Sequence, residues 1–447
     1  MINSMKLKLI QLIMKTIFFI LATLFLVNSS IAQDLMVPAD LKHFVDQSFE
    51  KYPKVAEMKQ LISLSETKVQ LDRTAILPTA MGDLSYRQQF PTPAFHIPSA
   101  SGQIQEMRIQ PADNYNASVS LAQPLIDFRL SSALNKAKGE LEISKDNLEG
   151  FKVNLAYQIA QVYYSIIFLN KSITVQQEQL NLITATKQQI EVRVKNGDAL
   201  NYDQVSTDVK YNNAVNFYTE LKSQLSKQYN LLDMLTGNSG QEYIRDAGFN
   251  ATSFTYLSDS ISAIASHNNM DIRIADAKLK LAGWDILTAE RSKLPSVNLL
   301  AGAGYKNGFM PNIDVVNFNY FVGLGVTIPI LSASRPGFRQ KMAVITRDAT
   351  QHALETQKAT LNKDLLNALD DIQKNQKKLS SADGLIKQAK LANELAADRY
   401  KFGVITNLDL LTAVSNLSDA QLSKLQFEYN LLLSRMDLCR LAGLRWW

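Results

Sequence analysis

The chain has 447 residues, of which 46% are apolar and 20% are charged, and its formal net charge is +5. These values are ordinary for a protein that buries a substantial core. Removing the three lysines of the leader segment lowers the charge to +2, which is too balanced to indicate a nucleic-acid partner.

Residues 1–32 have the features of a secretory signal peptide. Lys15 precedes the apolar run Ile17–Val27, and small residues follow at the spacing expected for cleavage after Ala32. An uncleaved membrane anchor is the alternative, but the run is too short to span a bilayer. Translation from Met14 would give the same mature chain.

The single cysteine, Cys439, allows no internal disulfide in an exported protein, so stability must come from packing or oligomerisation. Its heptad phase with leucines of the last helix predicts a buried, unreactive thiol. The four histidines are scattered, without the two-histidine spacing of a zinc protease. We therefore expect no catalytic site, no metal and no cofactor.

The prolines divide the chain. All 12 lie in two windows, 38–124 and 295–336, which leaves 170 residues between the windows without one. Such a stretch can be helical throughout, whereas the windows must contain turns or extended segments. Within the first window, residues 39–76 are predicted as a helix that ends ahead of Pro78.

Two stretches of the first window, 79–90 and 114–124, alternate apolar and polar residues. A period of two predicts strands with water on one face and lipid or a core on the other, and each stretch has the length of a tilted transmembrane strand. A soluble sandwich is the alternative for these strands. Residues 91–111, with four prolines, are predicted as an irregular loop.

A long helix is predicted over 128–195, because an apolar residue recurs there every seven positions as one seam of a coiled coil. The seam residues are Leu141, Leu148, Leu155, Val162 and Leu169. Asn196-Gly197 favours a turn, and a returning helix is predicted over 199–236. Residues 238–257 are a mixed connector.

The same order of elements follows in residues 258–447. A helix that ends before Pro295 is followed by strands at 297–306 and 319–329, a long helix at 340–402 and a returning helix at 406–441. Pairing residue i with i+206 over 193–237 gives ten identities in 45 pairs, where chance gives about three, so we predict two structural repeats, 33–237 and 258–447.

Four strands cannot close a barrel alone, because each unpaired edge group in a bilayer costs several kcal/mol. The chain must therefore oligomerise. Three copies give about twelve strands, suited to a water-filled pore, and two give about eight, suited to a barrel filled with side chains. We predict an α+β membrane protein, a trimer whose 12-stranded β-barrel is continued by a long α-helical coiled-coil barrel.

This order of elements resembles that of the TolC-like outer membrane efflux proteins. It consists of a helix, two strands, a long helix, a glycine turn and a returning helix, and it occurs twice after a signal peptide. The resemblance covers about Leu35 to Gly443 and is most specific over Arg399–Ala413, RYKFGVITNLDLLTA. It implies a homotrimer in outer membrane lipid that extends into the periplasm. It also implies a passive exit duct of a tripartite efflux or type I secretion system, partnered by a periplasmic adaptor and an inner-membrane transporter.

The resemblance assigns residues to the periplasmic tip. Asp409, tripled by the trimer, would line the entrance as an acidic ring, and Tyr400 is placed to bond Asp203 and hold the entrance shut. The structural alternative for each aspartate is a carboxylate favoured by a helix N-terminus. The adaptor-docking positions of the two turns are Gly197, Asn201, Gly403 and Asn407. Each glycine also suits a turn that a Cβ would strain.

Two positions depart from the family pattern. Ile405 stands where some members carry a basic latch residue, and Thr412 stands where some carry a second acid. The resemblance then implies a singly acidic ring and a weaker latch.

The competing function is a periplasmic adaptor, or membrane fusion protein, with coiled-coil hairpins. An adaptor would carry one hairpin between lipoyl-like and soluble barrel segments, whereas this sequence has two hairpins, each preceded by paired strands. A purely structural coiled-coil protein is a third possibility, which the four strands argue against.

Overall fold

The computed structural model describes residues 38–98, 104–237, 244, 249, 258–330 and 335–447. The predicted signal peptide, 1–32, and almost all of the connector, 238–257, lie outside these residues. The described elements are, in order, α1 Ala39–Lys51, α2 Pro53–Thr74, β1 Thr79–Gln88, β2 Ala94–Pro98, β3 Ile104–Arg108, β4 Asp113–Ile126, α3 Phe128–Lys195, α4 Asn201–Thr236, α5 Ser258–Asn268, α6 Met270–Arg291, β5 Ser296–Lys306, β6 Asn317–Thr327, α7 Arg335–Lys401 and α8 Asn407–Leu441.

The first helix is shorter than predicted. Two helices, Ala39–Lys51 and Pro53–Thr74, occupy this stretch, because Tyr52 is extended at φ −68° and ψ 121° and Pro53 begins α2. Proline disfavours the helical region for the residue before it but suits the first position of a new helix. The second half has the same break at Asn269, whose side chain accepts a hydrogen bond from the backbone N–H of Ile272 at 3.1 Å.

Four of the strands form one antiparallel sheet in the order β1-β4-β5-β6. One row across the sheet pairs Gly82 with Val119, Val119 with Ala303, and Ala303 with Tyr320. The neighbouring row, on the opposite face, contains Asp83, Ser118, Gly304 and Asn319. The sheet therefore has an apolar and a more polar face, and within the described chain β1 and β6 are its two edges.

The segment predicted as an irregular loop, 91–111, contains a short hairpin. Strands β2 and β3 pair antiparallel from Ala94 with Arg108 to Pro98 with Ile104. The prediction of irregular structure was wrong here because Pro98 lies at the end of its strand, where it does not interrupt the pairing.

The described residues divide into two compact units. One unit comprises the described residues up to Tyr52, of Val153–Ala265 and of Asp364–Trp447. Its core includes Leu155, Ile159, Tyr163 and Ile166 of α3 and Leu432 and Met436 of α8, all at most 2% exposed. The seam predicted for α3 is buried in this unit at Leu155, Val162 and Leu169.

The other unit comprises Pro53–Lys152 and Ser266–Lys363 and contains the four-stranded sheet. Its helices are tied by ion pairs, with Asp146 2.7 Å from Arg273 and Lys136 2.6 Å from Asp285. Among the helices of the described ranges, none has an apolar stretch long enough and free enough of charge to cross a membrane.

Candidate functional site at the two helical turns

The turn between α3 and α4 closes the first helix with a Schellman motif. The N–H of Asp198 donates to the carbonyl of Arg193 at 2.8 Å, and the N–H of Gly197 donates to that of Val194 at 3.1 Å. Gly197 has φ +77°, a left-handed conformation that a side chain disfavours. The sequence Asn-Gly was therefore a sound signal for this turn.

The turn between α7 and α8 repeats this geometry. Val404 donates to Arg399 and Gly403 donates to Tyr400, each at 3.0 Å, and Gly403 has φ +74°. A Cβ added to Gly197 or Gly403 would meet no atom within 4 Å. Both glycines are thus required by backbone conformation and not by crowding.

Asp409 caps the start of α8. Its Oδ2 accepts hydrogen bonds from the Thr406 hydroxyl at 2.7 Å and the Thr406 N–H at 3.0 Å, and its own N–H donates to the Thr406 hydroxyl at 3.2 Å. This reciprocal arrangement is a capping box. These donors favour the carboxylate, so the pKa of Asp409 lies below its usual range, the side-chain bond being the larger cause. The side chain is exposed and anionic.

Asp203 has the equivalent place at the start of α4 with a weaker cap. Its Oδ2 accepts from the N–H of Leu200 at 3.2 Å, but leucine has no side-chain acceptor to return the bond. The two repeats therefore place equivalent carboxylates at the starts of α4 and α8. Only Asp409 both accepts hydrogen bonds from its capping residue and donates its backbone N–H to that residue's side chain.

Tyr400 faces a cation in this structure. The guanidinium of Arg193 lies 5.4 Å from the centre of its ring, and Asp203 is hydrogen-bonded to Leu200. Within the described chain no hydrogen bond joins Tyr400 to Asp203, the pair named by the resemblance. The turns are connected instead through Arg193, a contact that the sequence did not indicate.

The two asparagines of the turns lie in different surroundings. Asn201 is exposed, but Asn407 is only 3% exposed, and its Nδ2 donates to the hydroxyl of Thr207 at 2.6 Å. Of the four predicted docking positions, Gly197, Asn201 and Gly403 are at the surface and Asn407 is inside. Thr207 was not predicted, although its spacing of seven from Ala214 and Leu221, both buried, is a signal that could have found it.

Large apolar side chains are exposed around both turns. Leu200 and Tyr202 in the first repeat are 69% and 68% exposed, and Phe402 and Val404 in the second are 83% and 69% exposed. Exposure of large apolar side chains to water is unfavourable, and their clustering at a turn is typical of an interaction site.

The described ranges contain no group of three or more His, Cys, Asp or Glu side chains placed to hold a metal ion. Asp409 and Asp203 each cap a helix, and neither lies in such a group. Within one chain, the turns can present charge and apolar surface.

The sequence matches the protein family described as Outer membrane efflux protein over residues 45–238 and 262–444. It is 23% identical over 325 residues to Toxin and drug export protein A of Aggregatibacter actinomycetemcomitans, covering 68% of this chain and 67% of that protein. It is 20% identical over 341 residues to Outer membrane protein TolC of Vibrio cholerae, covering 74% of this chain and 77% of that protein.

The structure also resembles solved structures. It matches the CmeC outer membrane channel of Campylobacter jejuni with a TM-score of 0.77 and 16% sequence identity, covering 91% of this chain and 86% of that chain. At this identity the likeness shows a shared fold.

Proposed function

The chain belongs to the outer membrane efflux protein family, and from this premise we propose that it is the exit duct of a tripartite efflux or type I secretion system. Members of the family are efflux channels of the outer membrane, so channel function and location follow from membership. The duct is passive, is gated at the helical turns, and receives its cargo from a periplasmic adaptor and an inner-membrane transporter.

The observation that carries the duct is the sheet. One chain supplies four strands, with β1 and β6 as edges, and open edges are not stable in a bilayer. Pairing β6 of one copy with β1 of the next closes a barrel, and three copies give about twelve strands. Aromatic rings gather at one end of its apolar face, with Tyr86 and Tyr115 5.3 Å apart and Tyr305 and Phe318 5.4 Å apart, as in the aromatic girdle of a membrane barrel.

The gate is assigned to the second turn. Three copies of Asp409, each exposed and anionic, form an acidic ring at the entrance, in which close like charges attract divalent cations. Asp203 and Tyr400 flank this ring, and Tyr400 acts through Arg193. Thr412 and Ile405 add no further charge, so the ring is singly acidic.

Adaptor docking is assigned to the surface of both turns, at Gly197, Asn201 and Gly403 and the apolar side chains beside them. Those apolar side chains are Leu200, Tyr202, Phe402 and Val404. A glycine turn permits close approach of a partner helix, and exposed apolar side chains supply the area that a helical partner buries.

Two measurements test these assignments. Native mass spectrometry of the detergent-purified protein is expected to give three copies of the mature chain, and a monomer would contradict the duct. In cells, a photoreactive amino acid at Phe402 or Leu200 is expected to cross-link one periplasmic protein. The same probe at Lys358, exposed in the middle of α7, is expected to give no such product, and equal products from both places would contradict docking at the turns.

A passive channel needs no substrate pocket of its own. One relative is named for toxin and drug export. For this chain we assign the choice of cargo to the transporter and adaptor with which it assembles.

A further inference from the structure

We propose that the buried hydrogen bond between Thr207 and Asn407 fixes the register in which the two returning helices, α4 and α8, pack against each other. The two side chains belong to different repeats, 200 positions apart in sequence. Their contact concerns packing inside the chain and does not depend on export.

The bond lies in the protein interior. Thr207 is 1% exposed and Asn407 is 3% exposed, and the Asn407 amide donates to the Thr207 hydroxyl at 2.6 Å. That hydroxyl donates in turn to the carbonyl of Asp203 at 2.7 Å, one turn back in α4. Thr207 is thereby held in a single orientation toward α8.

Asn407 is retained there at a cost. Its Oδ1 is buried and has no hydrogen-bond partner in the described structure, and a buried acceptor left unpaired is destabilising. In coiled coils, a buried asparagine at a seam position selects one register although it lowers stability. Asn407 begins such a seam, followed at spacings of four, three and four by the buried residues Leu411, Val414 and Ser418.

The apolar layer beside the pair does not select a register by itself. It consists of Ile183 of α3, Ala214 of α4 and Leu411 of α8, which form one buried cluster. Apolar contact is not directional, so this layer, with the partly buried Leu180 and Tyr211 packed against it, favours burial of α8 more than one particular position along its axis. After a shift of α8 by one turn Asn407 would lose its donor contact to Thr207, so the polar pair discriminates where the apolar layer does not.

The internal repeat supplies a comparison within the same chain. At the equivalent positions, 206 residues away, Asn407 corresponds to Asn201 and Thr207 corresponds to Ala413. Asn201 is exposed, and alanine has no hydroxyl to offer an asparagine. The hydrogen-bonded pair is therefore a property of one seam and not of the repeat.

Electron–electron resonance distances between α4 and α8 test the register directly. Spin labels are attached through Asn213→Cys and Asn416→Cys, both at exposed positions, while the native Cys439 is buried and stays unlabelled. Chains with the two introduced cysteines are co-produced with an excess of chains that lack them and are labelled after purification, so that distances between two labels of the same chain dominate. The background sequence is expected to show one distance population.

The double variant T207V/N407L removes the bond and keeps side chains of similar size. It is expected to add a second distance population, because a slip of one turn moves the α8 label by about 5 Å along the helix axis relative to α4, and a single unchanged population would overturn the register role. The control N201L/T219V makes the same two changes at exposed positions and is expected to match the background, whereas a second population in the control would also overturn the register role.

If the double variant does not fold, T207V is compared with T207S, which keeps the hydroxyl. A second population in T207V alone supports the role, and identical distributions contradict it. None of these distance measurements detects transport, so a result that contradicts the register role would not contradict the proposed exit duct.

Discussion

The guanidinium of Arg193 lies 5.4 Å from the centre of the Tyr400 ring, so the ends of α3 and α7 meet as a cation on an aromatic face. Arg193 comes from the first repeat and Tyr400 from the second. The contact depends on the ring and not on the phenolic hydroxyl, which separates it from a hydrogen bond between Tyr400 and Asp203.

Replacing Tyr400 tests which of the two contacts holds the turns together. A cation–π contact between partly exposed side chains such as these is worth about 0.5–1 kcal/mol, so Tyr400→Leu is expected to raise the open probability of single channels roughly two- to fivefold. Tyr400→Phe keeps the ring and is expected to behave like the parent protein. If Tyr400→Phe opens as often as Tyr400→Leu, the hydroxyl is the group that matters.

The two turn glycines are expected to be sensitive to alanine for a backbone reason alone. Gly197 and Gly403 have positive φ and open space around a Cβ, so each alanine variant should lose about 1–2 kcal/mol in the free energy of unfolding. Gly384, inside α7 with equally open space and no positive φ, is the matched control. Gly384→Ala should gain about 0.5–1 kcal/mol, as measured by denaturant unfolding followed by circular dichroism. Equal stability of Gly403→Ala and the parent would contradict the turn geometry.

Sequence reasoning located the long elements because their signals are local. The helix predicted over 128–195 depends on a proline-free run with apolar residues every seven positions, and the structure has α3 at Phe128–Lys195. The break at Tyr52 was missed because proline is as compatible with the first position of a helix as with its end. The hairpin within 91–111 differs from the predicted irregular loop because a proline at the end of a strand does not prevent pairing.

The candidate site was predictable only where backbone conformation decides it. Gly197 and Gly403 follow from the turn chemistry of short motifs. The burial of Asn407 and its bond to Thr207 depend on how two helices from different repeats pack, which no pattern within either helix encodes. The same holds for Arg193 and Tyr400, whose contact joins residues that are 207 positions apart.

Cys439 is expected to be inert in the folded protein. It is 2% exposed, and burial raises the pKa of its thiol to about 12, so little of the reactive thiolate forms at pH 8. Alkylation by iodoacetamide, followed by mass spectrometry, should be slow in the folded protein and fast after denaturation. A cysteine at the exposed position of Asn416 serves as the control. Equal rates for Cys439 in the folded and denatured protein would contradict its burial.

Thr406 helps to keep Asp409 ionised. Its hydrogen bonds lower the pKa of this carboxyl, so channel block by divalent cations should persist to lower pH in the parent protein than in a variant that lacks the Thr406 hydroxyl. Thr406→Val removes the hydroxyl donor and should shift the loss of block to higher pH. Thr412→Val removes an exposed hydroxyl that is bonded to Leu408 in the same helix, and should leave the pH of loss unchanged. A shift of the same size in both variants would contradict the assignment of the pH dependence of the block to the hydrogen bond between Thr406 and Asp409.

Single-channel recording of the purified protein in planar bilayers, compared with Asp409→Asn, tests the gated duct most directly. The parent protein is expected to conduct in small uniform steps that divalent cations block from the side of the turns. Asp409→Asn keeps the size of the side chain and removes its charge, so conductance should rise and the block should weaken. A folded parent protein that gives no conductance, or an unchanged block in Asp409→Asn, would contradict an efflux duct gated by an acidic ring at its helical turns.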